Sequence, residues 1–292
     1  MVNEAIIGRN DFMQTTKLIK FGMHDLDISK KTLIMGILNI TPDSFSDGGK
    51  YNELDVAVSR AIKMVEEGAD IIDIGGESTR PGAQKVNQEE ELERVIPTIQ
   101  AVSNVVDIPI SIDTYKYEVA RQAIEAGASI INDVWGAKAE PKIAELSATY
   151  RLPIVLTHNR LDRNYTNLMD DVISDLKASI AICELAGVED DKIILDPGIG
   201  FAKSYEQNIE VMQNLDKIAA LGYPVLLGTS RKSMVGAALN LPPEDRLDGT
   251  QATVCYGITK GCHIMRVHDV LQVSRAAQMM DVLIGRREIE NG

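Results

Sequence analysis

Three polar side chains close short aliphatic runs: Asp113 after Ile110-Ser111-Ile112, Asn132 after Ile130-Ile131, and Asp196 after Ile193-Ile194-Leu195. Singly, each is also what a solvated turn or a helix cap looks like. Gathered at one pocket, two carboxylates and a carboxamide suit a flat ligand with several donors and acceptors, such as a nitrogen heterocycle. Arg266 and His268 stand two apart on a further run, so both leave one face of a strand. A charged pair does not sit unpaired in an aliphatic core. Either Arg266 has a structural partner, or guanidinium and imidazole together meet a phosphate or diphosphate. Gly228-Thr229-Ser230-Arg231-Lys232-Ser233 offers backbone amides, a capping hydroxyl and two cations. That is the composition of a helix start that receives an anion, or of an ordinary cap with solvated Arg and Lys. Residues 77–82 form a second hydrophilic stretch, whose Arg80 either folds over an anion or decorates a surface turn. His158 has no second histidine or glutamate at metal-ligand spacing, so no transition metal is expected there.

These residues need a scaffold that brings run ends together. Eight apolar runs, near residues 33–39, 70–75, 109–113, 129–132, 153–157, 192–196, 224–228 and 263–267, are too short for helices and read as buried strands, polar only at their tips. Helical patterns lie between them and end in Gly at positions 68, 127, 187, 222 and 261, where a left-handed residue stops a helix without steric cost. Asn87 with Glu90 and Ser204 with Gln207 have capping-box spacing, and Thr114 and Ser230 read as further caps. Pro109, Pro153 and Pro224 begin strands, where a missing amide donor matters least. Eight strand-and-helix units without a composition break imply one (β/α)8 TIM-like barrel; the rival is a doubly wound open sheet, which lacks its Gly-rich fingerprint here. In a barrel the strand tips share one mouth, and the polar residues above are at the tips. Residues 1–31 read as a lead-in with a small hairpin, Gly22 to Asp25 as its turn, covering one end of a single domain over residues 32–292. The stretch after Asn39 is long for a strand-to-helix connection and reads as a lid.

Composition narrows the classes of function. The net charge of −13 argues against nucleic acid or a membrane surface as the main partner, so an anionic substrate must find a local basic patch. An apolar fraction of 45% with only 4% aromatics describes a large aliphatic core. Three cysteines without finger spacing read as reduced thiols. With no leader pattern and no long apolar run, a cytoplasmic protein is expected.

The motifs, taken in order, resemble those of the bacterial dihydropteroate synthase family of pterin-binding proteins. Met35-Gly36-Ile37-Leu38-Asn39-Ile40-Thr41-Pro42-Asp43-Ser44-Phe45-Ser46-Asp47-Gly48-Gly49 is similar to its first signature, and Gly75-Gly76-Glu77-Ser78-Thr79-Arg80-Pro81-Gly82 to its second. Ser111-Ile112-Asp113-Thr114, Ile131-Asn132-Asp133, Leu195-Asp196-Pro197-Gly198-Ile199-Gly200-Phe201, Thr229-Ser230-Arg231-Lys232 and Arg266-Val267-His268-Asp269 follow in family order. The resemblance runs from about residue 31 to the end.

It implies a magnesium-assisted transferase, usually a homodimer, on a TIM-like barrel. Such an enzyme joins para-aminobenzoate to 6-hydroxymethyl-7,8-dihydropterin diphosphate, releasing diphosphate and dihydropteroate. By the resemblance Asp113, Asn132, Asp196 and Lys232 bind the pterin and Arg266 stacks on it. Asn39 helps hold Mg2+, Arg266 and His268 meet the diphosphate, and Thr79 lies beside the pterin or diphosphate. Ser230 receives the aminobenzoate carboxylate in a pocket shaped by Phe45, Arg80, Pro81 and Phe201. Asp113, Lys232, Arg266 and His268 form the implied catalytic set. One departure is Leu156-Thr157-His158, where the family more often has Leu-Met-His; Thr157 removes an apolar wall and is expected to weaken pterin binding slightly. The alternatives are a pterin-dependent methyltransferase domain and a catalytically silent pterin-binding module.

Overall fold

The protein is described here as a computed structural model covering residues 18–40, 49–77 and 85–287. Its first element is the antiparallel hairpin of β1 (Leu18–Phe21) and β2 (His24–Asp27). The turn is tighter than expected, because His24 and Asp25 already pair with Phe21 and Lys20. Alternation does the rest: Leu18 and Lys20 are exposed while Ile19 and Phe21 are buried.

Eight parallel strands follow: β3 (Leu33–Asn39), β4 (Ile71–Gly75), β5 (Ile110–Asp113), β6 (Ile130–Asp133), β7 (Ile154–Thr157), β8 (Ile193–Asp196), β9 (Leu226–Leu227) and β10 (Ile264–Val267). Their order, β8-β7-β6-β5-β4-β3-β10-β9, becomes a ring through a parallel bridge between Leu195 and Val225, where the Leu195 N–H donates to Pro224 O at 2.9 Å. This seam is shorter than the run at 224–228 promised. Pro224 has no amide hydrogen for the ladder, and Gly228 to Ser230 turn away to build the mouth.

Around the ring stand α1 (Gly49–Glu66), α2 (Gln88–Ser103), α3 (Tyr117–Glu125), α4 (Ile143–Tyr150), α5 (Leu168–Leu185), α6 (Tyr205–Gln213), α7 (Leu215–Ala219), α8 (Ser233–Leu239), α9 (Leu247–Thr259) and α10 (Val270–Leu283). The five helix-ending glycines all have positive φ. Ser204 and Gln207 form a full capping box on α6. Asn87 makes only its own half on α2, because the Glu90 carboxylate is held by Arg94. Two expected caps are not caps. Thr114 accepts the Lys116 N–H in a turn, and the carboxylate of Glu140, distant in sequence, receives the first amide of α3 at 2.8 Å. Ser230 lies outside α8, whose cap position is Lys232.

Two cores result from the period of two along each strand. One set of residues, including Ile34, Leu38, Ile72, Ile112, Ile131 and Leu156, packs outward on the helices. The other, Leu33, Met35, Ile71, Ile130, Val155, Ile194, Leu226 and Ile264, fills the ring at the amino-terminal end of the strands. Ile19, Phe21 and Ile28 pack into that inner core, so the hairpin plugs the bottom of the barrel. Continuing up the same inward parity, the side chains become Asp73, Ser111, Asp113, Asn132, Thr157, Asp196 and Arg266, all but Arg266 buried. The strands are therefore not polar only at their tips. Among the described residues no helix is long and apolar enough to cross a membrane.

Candidate active site

The upper half of the barrel interior is built around Arg266. Its Nε donates to Asp73 Oδ2 at 2.6 Å and its Nη2 to Asp113 Oδ2 at 2.5 Å, so the guanidinium is forked between β4 and β5. Asn132 lies beside Asp113 in register and donates its Nδ2 to the Asp73 carboxylate at 3.2 and 3.3 Å. Asp73, 0% exposed, thus ties Asn132 to Arg266 from below. Next to it the Ser111 hydroxyl is buried with no hydrogen-bond partner among the described residues. Arg266 has the structural partners that one of its two readings required. Its inner edge is paired, and the side chain still lines the cavity above.

Electrostatics follow from burial. Desolvation pushes the Asp113 carboxyl up to about 7, with Arg266 opposing and the negative Asp73 adding to the rise. Burial also raises Asp196, against the pull of Lys232. Lys232 is drawn down to about 8 by burial, with Asp196 opposing. Arg266 stays charged: burial works against it, but Asp73 and Asp113 more than compensate.

On the far side of the ring, Asp196 Oδ1 accepts the Gly198 N–H at 2.7 Å, which starts a tight loop after β8. Gly198 has φ +68°, and a Cβ there would lie 1.9 Å from the His158 carbonyl oxygen, so only glycine fits. The loop turns its Ile199 carbonyl toward the Lys232 ammonium and sets the Phe201 ring 4.8 Å from that same nitrogen. Lys203 closes the loop from behind. Burial draws it down to about 7, Asp196 opposing.

After β9 the chain passes through Ser230, whose Oγ accepts the His268 N–H at 3.1 Å and lies 2.9 Å from His268 Nδ1. Arg231 adopts φ +58° and pairs with Asp269 through both its Nε and an Nη, while its own N–H and carbonyl are held by Thr250 and Arg246. Of the two cations expected at this helix start, Arg231 is engaged by Asp269, and Lys232 faces the barrel with its ammonium on the Ile199 carbonyl.

Asn39, half-buried at the tip of β3, shares with Asp113, Phe201, Ser230, Lys232, Arg266 and His268 the wall of a cavity of about 400 Å³. Asn132 and Asp196 are 3% and 6% exposed in the same barrel end. A larger cavity of about 860 Å³ shares Glu77 and Phe201 with the first and extends past Tyr115, Trp135, Lys138 and Arg160. The expected contributors Phe45, Thr79, Arg80 and Pro81 lie outside the described residues, as do most of the two lid segments. Among the described residues no group of three or more His, Cys, Asp or Glu is placed to hold a metal. His158 is buried and sits in a hydrogen-bonded row between buried Lys203 and partly exposed Asp175.

Two residues escaped the sequence reading. Asp73 had a signal: a carboxylate inside Ile71-Ile72-Asp73-Ile74, on the inward parity, requires a cationic partner, and Arg266 was the candidate. Lys203 had none, since a lysine following a glycine-rich turn reads as solvated.

Comparison with known proteins agrees with this geometry. The family described as pterin binding enzyme matches residues 35–268. The dihydropteroate synthase of Clostridium beijerinckii is 58% identical over 269 residues, spanning 92% of this chain and 100% of that protein. A crystal structure of dihydropteroate synthase from Clostridium difficile in the presence of pteroic acid superposes with a TM-score of 0.87 at 50% identity, over 88% of this chain and 98% of that one. The Xanthomonas albilineans dihydropteroate synthase with 4-aminobenzoic acid gives a TM-score of 0.88 at 39% identity, over 92% and 99%.

Proposed function

This chain belongs to the family of pterin binding enzymes, and we propose that its reaction is that of a dihydropteroate synthase. It joins the amino nitrogen of para-aminobenzoate to the methylene carbon of 6-hydroxymethyl-7,8-dihydropterin diphosphate, and diphosphate leaves. One observation carries this reading. Asp113, Asn132, Asp196, Lys232 and Arg266, from four strands and one loop, converge on one end of a closed barrel beside a cavity that His268 and Asn39 also line.

In this reading Asp113, Asn132 and Asp196 take the donor and acceptor edge of the pterin ring, with Lys232 above Asp196 and Arg266 against the ring face. Arg266 and His268 reach the diphosphate. Ser230, with Phe201, borders the place of the aminobenzoate. Thr79, Arg80, Pro81 and Phe45 would come from the two lids. An aromatic amine is a weak nucleophile, so the barrier falls mainly by easing diphosphate off a carbon whose developing positive charge the pterin ring spreads. Cationic donors fixed before the reaction contribute about 3 kcal/mol each where well placed. Holding the two substrates in line removes a further ~7 kcal/mol of entropic cost. No covalent nucleophile is needed. Asn39 fits a magnesium ion, because that ion takes one or two hard protein oxygens and fills its remaining positions with water and phosphate. When bound, it supplies charge neutralisation on the phosphate oxygens.

The same reading takes residues 32–292 as one domain behind the 1–31 lead-in, working in the cytoplasm with its three thiols free. It also takes the chain as a homodimer, with Tyr256 of α9 and Met279 and Leu283 of α10 as exposed apolar contacts. The test is a direct assay with both substrates and magnesium: dihydropteroate and diphosphate form in equal amounts. A chain that binds the pterin but releases no diphosphate would overturn the reading.

A further inference from the structure

Lys203 is 4% exposed as a residue and lies behind the cavity wall rather than in it. Its three hydrogens have three acceptors: Gly198 O at 3.0 Å, Phe201 O at 3.2 Å and His158 Nδ1 at 2.8 Å. The Asp175 carboxylate only accepts, so Nε2 of His158 carries the hydrogen, donated to Asp175 Oδ2 at 3.0 Å, and burial keeps the ring neutral, which leaves Nδ1 to accept from Lys203. Asp175 on α5 is held in turn by Arg160. A hydrogen-bonded row thus runs from the partly exposed Arg160 and Asp175 at the outer helix layer, through buried His158 and Lys203, to two carbonyls of the loop after β8. Between those two carbonyls lies Ile199, whose own carbonyl receives Lys232, and the second belongs to Phe201, whose ring borders the same lysine.

We propose that Lys203 is a positioning residue for the reaction. By gripping the Gly198 and Phe201 carbonyls it fixes the Ile199 carbonyl and the Phe201 ring, and these two groups hold Lys232 where it meets the pterin. This role presupposes the pterin cavity proposed above and follows from two features of the loop. The loop has no strand ladder of its own, since its residues follow the end of β8 and precede α6. Its backbone is forced into left-handed geometry at Gly198, Gly200 and Ala202, so it needs contacts from outside to stay in one shape. Lys203, itself tied through His158 to α5, grips two of its carbonyls; Tyr165 Oη donates to Ala202 O at 2.9 Å and Asn208 Oδ1 of α6 accepts the Gly200 N–H at 2.7 Å.

The test is steady-state kinetics and pterin calorimetry on Lys203→Met, Lys232→Met and the double variant. A positioning role raises the KM of both substrates at least ~10-fold in Lys203→Met, as loss of charge-assisted bonds does, while kcat at saturation stays within about threefold. The double variant then binds pterin no more than about twofold more weakly than Lys232→Met alone, because the two act through one contact. A purely structural lysine gives the opposite pattern: kcat falls with the fraction folded, KM stays put, and the two losses multiply. If Lys203→Met does not fold, Lys203→Gln, a shorter neutral donor, is read in the same way; wild-type KM values in either variant overturn the proposal. If Lys232→Met leaves pterin binding intact, the reading of the cavity falls, and this proposal with it.

Discussion

Replacing Asp73 with Asn tests the centre of the site, because it changes one buried atom and leaves the shape intact. The carboxylate now accepts Arg266 Nε at 2.6 Å and Asn132 Nδ2 at 3.2 to 3.3 Å. In Asp73→Asn the single amide oxygen keeps the stronger partner, Arg266, and the new NH2 turns toward Asn132, donor against donor. The Arg266 bond loses the charge of its acceptor, costing about 1 kcal/mol, and the Asn132 amide, 3.3 Å from the new NH2 and left to share the remaining oxygen with Arg266 at 3.2 Å, costs about 2 more. A destabilisation of about 3 kcal/mol is roughly 5 °C in Tm for a chain of this size. Pushed by that NH2, the Asn132 amide also shifts from its place beside Asp113, so pterin affinity drops about tenfold, the equivalent of 1.4 kcal/mol. Removing the negative neighbour lets Asp113 ionise at lower pH, which shifts the pH dependence of pterin binding in the acid direction. Thermal unfolding followed by circular dichroism, with calorimetry between about pH 5 and 8, reads all three effects. A Tm within about 2 °C of the parent together with unchanged affinity would show that Asp73 does not organise the site.

Four further outcomes are expected. Asp196→Ala and Lys232→Ala each weaken pterin binding by at least ~2 kcal/mol, since each leaves a buried partner uncompensated; a calorimetric affinity equal to the parent's contradicts the assignment. Phe21→Ala empties the plug beneath the inner core and costs ~3 to 5 kcal/mol in chemical denaturation; a loss under about 1 kcal/mol would mean that the hairpin merely rests on the barrel. Thr157→Met, at a buried inward position paired with Asp196 in register, restores an apolar wall and tightens pterin binding; equal or weaker binding removes that idea. Asp113 holds its proton in the folded chain up to about pH 7, well above its ordinary value of 3.8. Its folded pKa is raised, so its contribution to stability is complete below about pH 4 and is lost as pH rises through 7, and Asp113→Asn flattens that stretch of the stability curve.

The sequence by itself determined the alternation of short aliphatic runs and helices, and with it the closed barrel. Period-two burial and glycine stops are local properties that each segment carries alone. It also placed Asp113, Asn132, Asp196, Arg266 and His268 at strand ends, because an unpaired polar group in an aliphatic run is conspicuous wherever it occurs. Only the tertiary structure decided what those groups touch. That Asp73 bridges Arg266 and Asn132 depends on β4 lying two places from β10 in the ring, a long-range fact absent from either run. Ser230 reads as a cap from its neighbours, but it belongs to His268, 38 residues away, because β9 and β10 are adjacent. Lys203 looks like a surface lysine until the loop after β8 folds back and surrounds its ammonium with carbonyls. Spacing along a chain reports which face a side chain leaves. Which charge waits opposite that face is decided when the barrel closes.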